Sequence, residues 1–128
     1  MEFAYDHVHL ISEDLESAVR FYKDVFGAQE TGRVDIMGAP GVLMRVGDMN
    51  LFIRGTRQGE EYPSGGRPRG HGIDHFGILV KGSLDEFCEG LKGKGVTILD
   101  GPRDFNPKTR VAFIKAPDGV AIELLNRR

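Results

Sequence analysis

Residues 5–27, YDHVHLISEDLESAVRFYKDVFG, carry the pattern on which the fold turns. Phe3 to Ile11 reads as a strand, and because strand side chains alternate between faces, His7 and His9 point the same way. A helix follows. Asp14 suits the N-cap, and Leu15, Ala18, Val19, Tyr22, Val25 and Phe26 form one apolar stripe. Gly27 stops the helix as the residue past its end. Strand-like segments come next at 34–37, 41–46 and 49–54, with Gly47-Asp48 as a tight turn between the last two.

The pattern then restarts. GIDHFGILV (72–80) is a strand, and SLDEFCEGLKGKG (83–95) is a helix with Ser83 and Glu86 as a capping box. VTILD, TRVAFIKA and VAIELLNR are strands, with Pro117-Asp118-Gly119 turning between the last two. Asp6-His7 and Asp74-His75 stand 68 residues apart, and the helix start at Leu15 matches Leu84. Each half is therefore βαβββ, an internal repeat. The expected organisation is one α+β domain of 128 residues: module one at 1–56, a linker loop at 57–71 and module two at 72–128. Such a unit covers one sheet face with its helix. The two remaining faces are expected to pair into a U-shaped, half-open barrel-like cleft.

Composition narrows the function. With 17 basic and 19 acidic residues the net charge is −2, so nothing demands nucleic acid or a membrane surface. The single cysteine, Cys88, rules out an intramolecular disulfide and fits a reducing compartment; it reads as a packing residue, since no basic neighbour would stabilise a thiolate. No segment approaches the roughly 20 apolar residues of a membrane span, and the first residues lack a signal-peptide run. The expected location is the cytoplasm.

Alternation makes a sharper forecast. His75 shares a face with Gly77, and Glu123 shares one with Ala121 and Leu125, while Val120, Ile122 and Leu124 lie opposite. A carboxylate among such apolar residues is costly to bury unless paired or metal-bound. His7, His75 and Glu123 on inward faces would form a two-His, one-carboxylate set with open coordination positions. The competing reading is a surface Glu on an edge strand and two core histidines.

DHVHLISEDLESAVRFYKDVFG, IDHFGILV and APDGVAIELL together resemble the vicinal oxygen chelate superfamily, which includes glyoxalase I, methylmalonyl-CoA epimerase, fosfomycin-resistance transferases, extradiol dioxygenases and bleomycin-binding proteins. The most specific pieces are a His seven residues before the Asp-Leu that opens a helix ending Phe-Tyr-x-x-x-x-Gly, and the closing Pro-Asp-Gly-x-x-Ile-Glu-Leu. The resemblance covers essentially the whole chain. It implies paired βαβββ modules around a divalent metal, with His7, His75 and Glu123 at the ligand positions, and a homodimer.

The departures are informative. Many glyoxalases and epimerases carry a fourth ligand, Glu or Gln, on the last strand of the first module, where this chain has Phe52, or Asn50 with a register slip of two. The dioxygenase and transferase branches, which resemble the remaining triad, commonly place a Tyr ten residues before the Glu; here it is Phe113. The transferase branch also tends to run on past that Glu.

The resulting expectation is a metal-dependent enzyme acting on a small oxygenated molecule, with dioxygenase-type chemistry and Fe(II) first. Glyoxalase- or epimerase-type chemistry with Mn, Ni, Co or Zn is the alternative, followed by thiol transfer to an epoxide-like antibiotic. A non-catalytic binding protein is the reading of another class, and the retained ligand residues argue against it. His9, facing the cleft with His7, is the candidate proton-transfer group. Phe52, Asn50, Phe113, Arg45 and Lys115 are the candidate substrate contacts, and Arg54 and Arg110 are further strand-borne cations that select an anion or serve as rim charges. His71 and the pair Arg67 and Arg69 read as solvated loop residues rather than a lid or an anion clamp.

Overall fold

In a computed structural model the chain divides into two compact units, Met1–Ser64 and Gly65–Arg128, and the structure describes residues 1–62 and 71–128. The first unit runs β1 (His7–Ile11), α1 (Leu15–Phe26), β2 (Gln29–Ile36), β3 (Ala39–Val46) and β4 (Met49–Arg54). The second runs β5 (Phe76–Leu79), α2 (Leu84–Gly93), β6 (Ile98–Asn106), β7 (Thr109–Lys115) and β8 (Ala121–Arg127). Their four-stranded sheets have matching orders, β1-β4-β3-β2 and β5-β8-β7-β6, and the first strand of each lies parallel to the last. The expected α+β class and the doubled βαβββ unit are what the chain forms, and neither sheet closes into a barrel.

Local chemistry sets the helix ends. The Asp14 side chain accepts the Ser17 backbone N–H, and Gly27 adopts φ 64° and donates its N–H to Lys23. Ser83 accepts the Glu86 N–H in the same way. Ala18, Val19, Tyr22 and Val25 are buried on the stripe of α1, against a sheet face holding Val42, Met44, Leu51 and Ile53. In the second unit Leu84, Cys88 and Leu91 bury against Ala112, Ile114, Ile122 and Leu124. Each fully buried aliphatic side chain contributes about 1.5–3 kcal/mol, so these two small cores fix which face of each sheet stays uncovered by its helix. Burial also pushes the Cys88 thiol up, in keeping with a packing role.

Several strands differ in extent from the sequence reading, among them β6, read over 96–100 and running Ile98–Asn106. The first begins at His7 rather than Phe3, because its partner β4 begins at Met49 and pairs His7 with Asn50. Phe3 and Tyr5, with no strand beside them, are exposed. β5 likewise begins at Phe76, leaving His75 at its mouth. β2 starts at Gln29, earlier than its apolar residues suggest, because hairpin pairing with β3 extends it through a polar run.

Candidate functional site

In β8 the alternation works as read: Ile122 and Leu124 are fully buried beneath α2, so Glu123 is turned to the opposite, open face. Its cross-strand neighbours are Phe113 on β7 and Gly77 on β5. His75, just ahead of β5, reaches the same carboxylate: its Nε2 lies 3.0 Å from Glu123 Oε2. Its other nitrogen, Nδ1, lies 2.7 Å from Asp74 Oδ2. His75 is 28% and Glu123 22% exposed at the side chain, so both are half-buried and open to a ligand. The Asp74 hydrogen bond is the main reason the His75 pKa is raised; burial opposes it, and Glu123 adds to it. Phe113 stands edge-on to His75, with ring centres 5.0 Å apart. Lys115, two residues beyond Phe113 on β7, shares this face and is exposed.

Gly77 has a steric reason. A Cβ there would lie 3.0 Å from Leu125 Cδ1, a tight approach, and in ordinary contact with Glu123 Oε2 at 3.8 Å.

The first unit presents the related arrangement with different chemistry. His7 pairs with Asn50 and His9 with Phe52 across β1 and β4, all on the face away from α1. Measured against the first strand of each unit, Phe52 stands opposite His9 as Glu123 stands opposite Gly77. Phe52 therefore takes the position of the carboxylate, in the expected register without the slip to Asn50. It stacks on His7 with ring centres 4.5 Å apart, and His9 lies edge-on to both rings. His7 Nδ1 lies 2.6 Å from Asp6 Oδ2. Asn50 donates to the Asp6 carbonyl at 2.9 Å, tying down the start of β1, and accepts weakly from Arg45 at 3.4 Å. Burial is the first cause of a lowered His9 pKa, with His7, Arg54 and Arg57 adding to it.

Two strand cations are accounted for otherwise. Arg54 is buried, held by Glu60 at 3.1 Å, by the Tyr62 hydroxyl at 3.2 Å and by the Gly55 carbonyl. Arg110 lies on the helix side of its sheet, bridging Asp85 of α2 and Asp104 of β6. Neither is a free rim charge. His71 is exposed, and Arg67 and Arg69 lie outside the described residues.

Of the expected triad, then, His75 and Glu123 meet within the second unit, and His7 is carried by the first. Among the described residues no group of three or more His, Cys, Asp or Glu side chains is arranged as a metal cluster. The sequence reading missed the two aspartates that hold the histidine Nδ1 atoms. Their signal was the repeated Asp-His dipeptide, read only as a marker of the duplication.

This fold, a βαβββ unit formed twice with a His–carboxylate pair on one open sheet face, is of the glyoxalase type. The chain belongs to the Glyoxalase/Bleomycin resistance protein/Dioxygenase superfamily, whose family profile matches residues 4–124. Among solved structures it is similar to a glyoxylase/bleomycin resistance protein/dioxygenase domain from Frankia sp. EAN1pec, with 21% identity and a TM-score of 0.83 over 100% of this chain and 94% of that one. It is also similar to the fosfomycin resistance protein FosX from Listeria monocytogenes, with 17% identity and a TM-score of 0.77 over 100% and 96% of the two chains. A glutamate-to-glutamine mutant of that protein, solved with Mn(II) and 1S,2S-dihydroxypropylphosphonic acid, matches with 19% identity and a TM-score of 0.73 over 97% and 92%. No match was found among curated proteins. Among the described residues no helix is long and apolar enough to cross a membrane.

Proposed function

We propose that this chain is a metal-dependent enzyme acting on a small oxygenated molecule, with His7, His75 and Glu123 holding a divalent metal. The observation that carries the reading is the convergence of His75 Nε2 and Glu123 Oε2, 3.0 Å apart, on an open sheet face. With Asp74 on Nδ1, the Nε2–Glu123 contact needs a second ring proton, and His75 Nε2 and Glu123 would instead serve as donors to a divalent metal if one were bound. The donor set, two imidazoles and one carboxylate, suits Fe(II), Mn, Co, Ni or Zn.

A bound divalent metal supplies Lewis acidity, polarising substrate oxygens and stabilising negative charge that develops on them. The chain's own residues do the rest. Glu123 contributes charge, and its backbone is held by the buried Ile122 and Leu124 on either side. Phe113 and Phe52 give apolar walls beside the two histidines and shield them from water. His9, whose lowered pKa leaves it neutral near pH 7, accepts a proton from substrate at a ring nitrogen. Lys115 and Arg45, exposed on their strands, attract an anionic group.

With Phe52 in the fourth-ligand position, the open coordination positions favour dioxygenase-type chemistry on Fe(II). A redox-neutral reaction, of the lyase or isomerase type, is the second reading, supported by the Mn(II) found in FosX structures of the same fold. We read the protein as cytoplasmic and as a homodimer, in line with the family resemblance.

Purified protein titrated with Fe(II) and Mn(II) is expected to bind one metal per site. His75→Ala and Glu123→Ala are expected to abolish stoichiometric binding while leaving the far-ultraviolet circular dichroism unchanged. Oxygen uptake with a panel of vicinal diols separates the two reactions. A wild-type chain that binds neither metal, or variants that bind as well as wild type, overturns the metal centre.

A further inference from the structure

The geometry points to Asp6 and Asp74 as positioning residues that fix which nitrogen of His7 and His75 faces the open side of each sheet. The inference rests on the reading of both histidines as ligands and adds the groups that orient them.

The same atomic contact occurs twice. Asp6 Oδ2 lies 2.6 Å from His7 Nδ1, and Asp74 Oδ2 lies 2.7 Å from His75 Nδ1. Neighbouring residues inside a strand point to opposite faces, so such a contact is unnatural in mid-strand. Here β1 begins only at His7 and β5 only at Phe76, which puts each dipeptide at a strand mouth, where the aspartate can fold back to its neighbour. Asn50 secures the first of these mouths by donating to the Asp6 carbonyl.

Nor does the contact depend on what faces the ring's other nitrogen. In the second unit that nitrogen meets Glu123; in the first the ring stacks on Phe52. The residues that follow also differ, Val8-His9 in one and Phe76-Gly77 in the other. The Asp–His contact survives both changes, as a device with its own purpose does.

That purpose is not stability. Both aspartates are 81% exposed at the side chain, and exposed pairs of this kind contribute little to folding. An ionised carboxylate only accepts, so on the neutral ring Asp6 demands Nδ1–H and leaves the Nε2 lone pair of His7 free, while at His75 Asp74 makes this demand in competition with Glu123 on Nε2. The carboxylate also fixes the ring plane, as partners behind metal-binding histidines commonly do.

The test uses the full metal-free chain labelled with ¹⁵N-histidine, with long-range ¹H–¹⁵N correlations recorded at a pH where each ring carries a single proton. Wild-type His7 is expected as the Nδ1–H tautomer, and His75 with Nδ1–H as the larger share, its 2.7 Å contact to Asp74 being shorter than the 3.0 Å contact to Glu123. Asp74→Ala should move the His75 proton to Nε2, where Glu123 is the remaining acceptor, and leave His7 unchanged. Asp6→Ala should do the converse, turning His7 into a mixture. Mn(II) titration of each variant should show affinity lower by about 10–100-fold. Wild-type rings already protonated at Nε2, or tautomers that do not respond to the alanine variants, overturn the proposal even if wild type binds Mn(II). Tautomers that respond in a wild-type chain that binds no Mn(II) uphold the positioning role and remove the metal centre instead.

Discussion

The two halves share a scaffold and differ in what they place on it. Both use strand order 1-4-3-2, a helix capped by an Asp or Ser side chain, and a histidine at the mouth of the first strand with an aspartate behind it. Opposite the first strand, however, one half presents Phe52 beside His9, and the other Glu123 beside Gly77. The exchange is reciprocal. Where the carboxylate stands, the neighbouring strand carries no side chain, and a Cβ there would press on Leu125. Where the carboxylate is lost, the space holds an imidazole packed edge-on to a phenyl ring. Duplication thus yields one half built to hold charge and one built to hold an aromatic cluster, on backbones that pair in the same register.

If the scaffold is equivalent, its core positions should respond alike. Leu51 and Leu124 are fully buried next to Phe52 and Glu123 respectively, each beneath its own helix. Leu51→Ala and Leu124→Ala are each expected to cost about 2–5 kcal/mol, the usual range for a cavity of this kind. Urea denaturation followed by circular dichroism measures both. A loss under about 1 kcal/mol in one half alone would show that its helix and sheet are not packed as the other pair is.

A smaller effect probes the exchanged position. Phe52→Glu puts a carboxylate opposite His9 on the face that carries His7. It is expected to strengthen Mn(II) binding about tenfold, or ~1.4 kcal/mol, as a fourth donor does for a three-donor site. Calorimetric titration against wild type measures the gain. Unchanged or weaker binding would mean that Phe52 does not stand at a ligand position, and would remove the case for a three-donor centre.

These positions also show how far the residues could be read in advance. The doubled βαβββ unit was legible because it rests on local signals: caps, an apolar stripe, a glycine stop and the Asp-His repeat. The face that Glu123 occupies was legible because the alternation in β8 sends Ile122 and Leu124 to the other side, and the place of Phe52 because the repeat carries the register across. Strand ends were not, since they depend on where a partner begins: Phe3 and Tyr5 alternate well enough but have nothing to pair with. The cations were hardest. Arg54 and Arg110 sit on strands like any rim residue, and only tertiary contacts reveal that Glu60 with Tyr62 holds one and Asp85 with Asp104 holds the other. The aspartates behind His7 and His75 were plain in the sequence, but their role depends on where each strand starts.

The smallest expected effect concerns how each half ties its helix to its sheet. In the first, Arg33 of β2 bridges Glu16 in the opening turn of α1 and Glu30, which Lys23 also contacts at 3.0 Å. In the second, Arg110 of β7 reaches Asp85 in the opening turn of α2 and Asp104, which Arg128 also contacts at 2.7 Å. The same clamp is thus rebuilt from a different strand, and in both its carboxylates are held below their usual range by the arginine. Glu30 is lowered most, to about 2, by Arg33 first and then Lys23. A folded pKa below the unfolded one stabilises above the unfolded value, near 4.5, and that contribution is lost as pH falls toward 2. Stability should therefore decline with a slope across this interval, and Glu30→Gln should flatten that slope, its loss being fullest at pH 7, absent near pH 2 and small throughout because the pair is at the surface. Denaturation midpoints at a series of pH values measure it. A slope that Glu30→Gln leaves intact, but that Asp85→Asn removes, would place the acid-sensitive clamp in the second half alone.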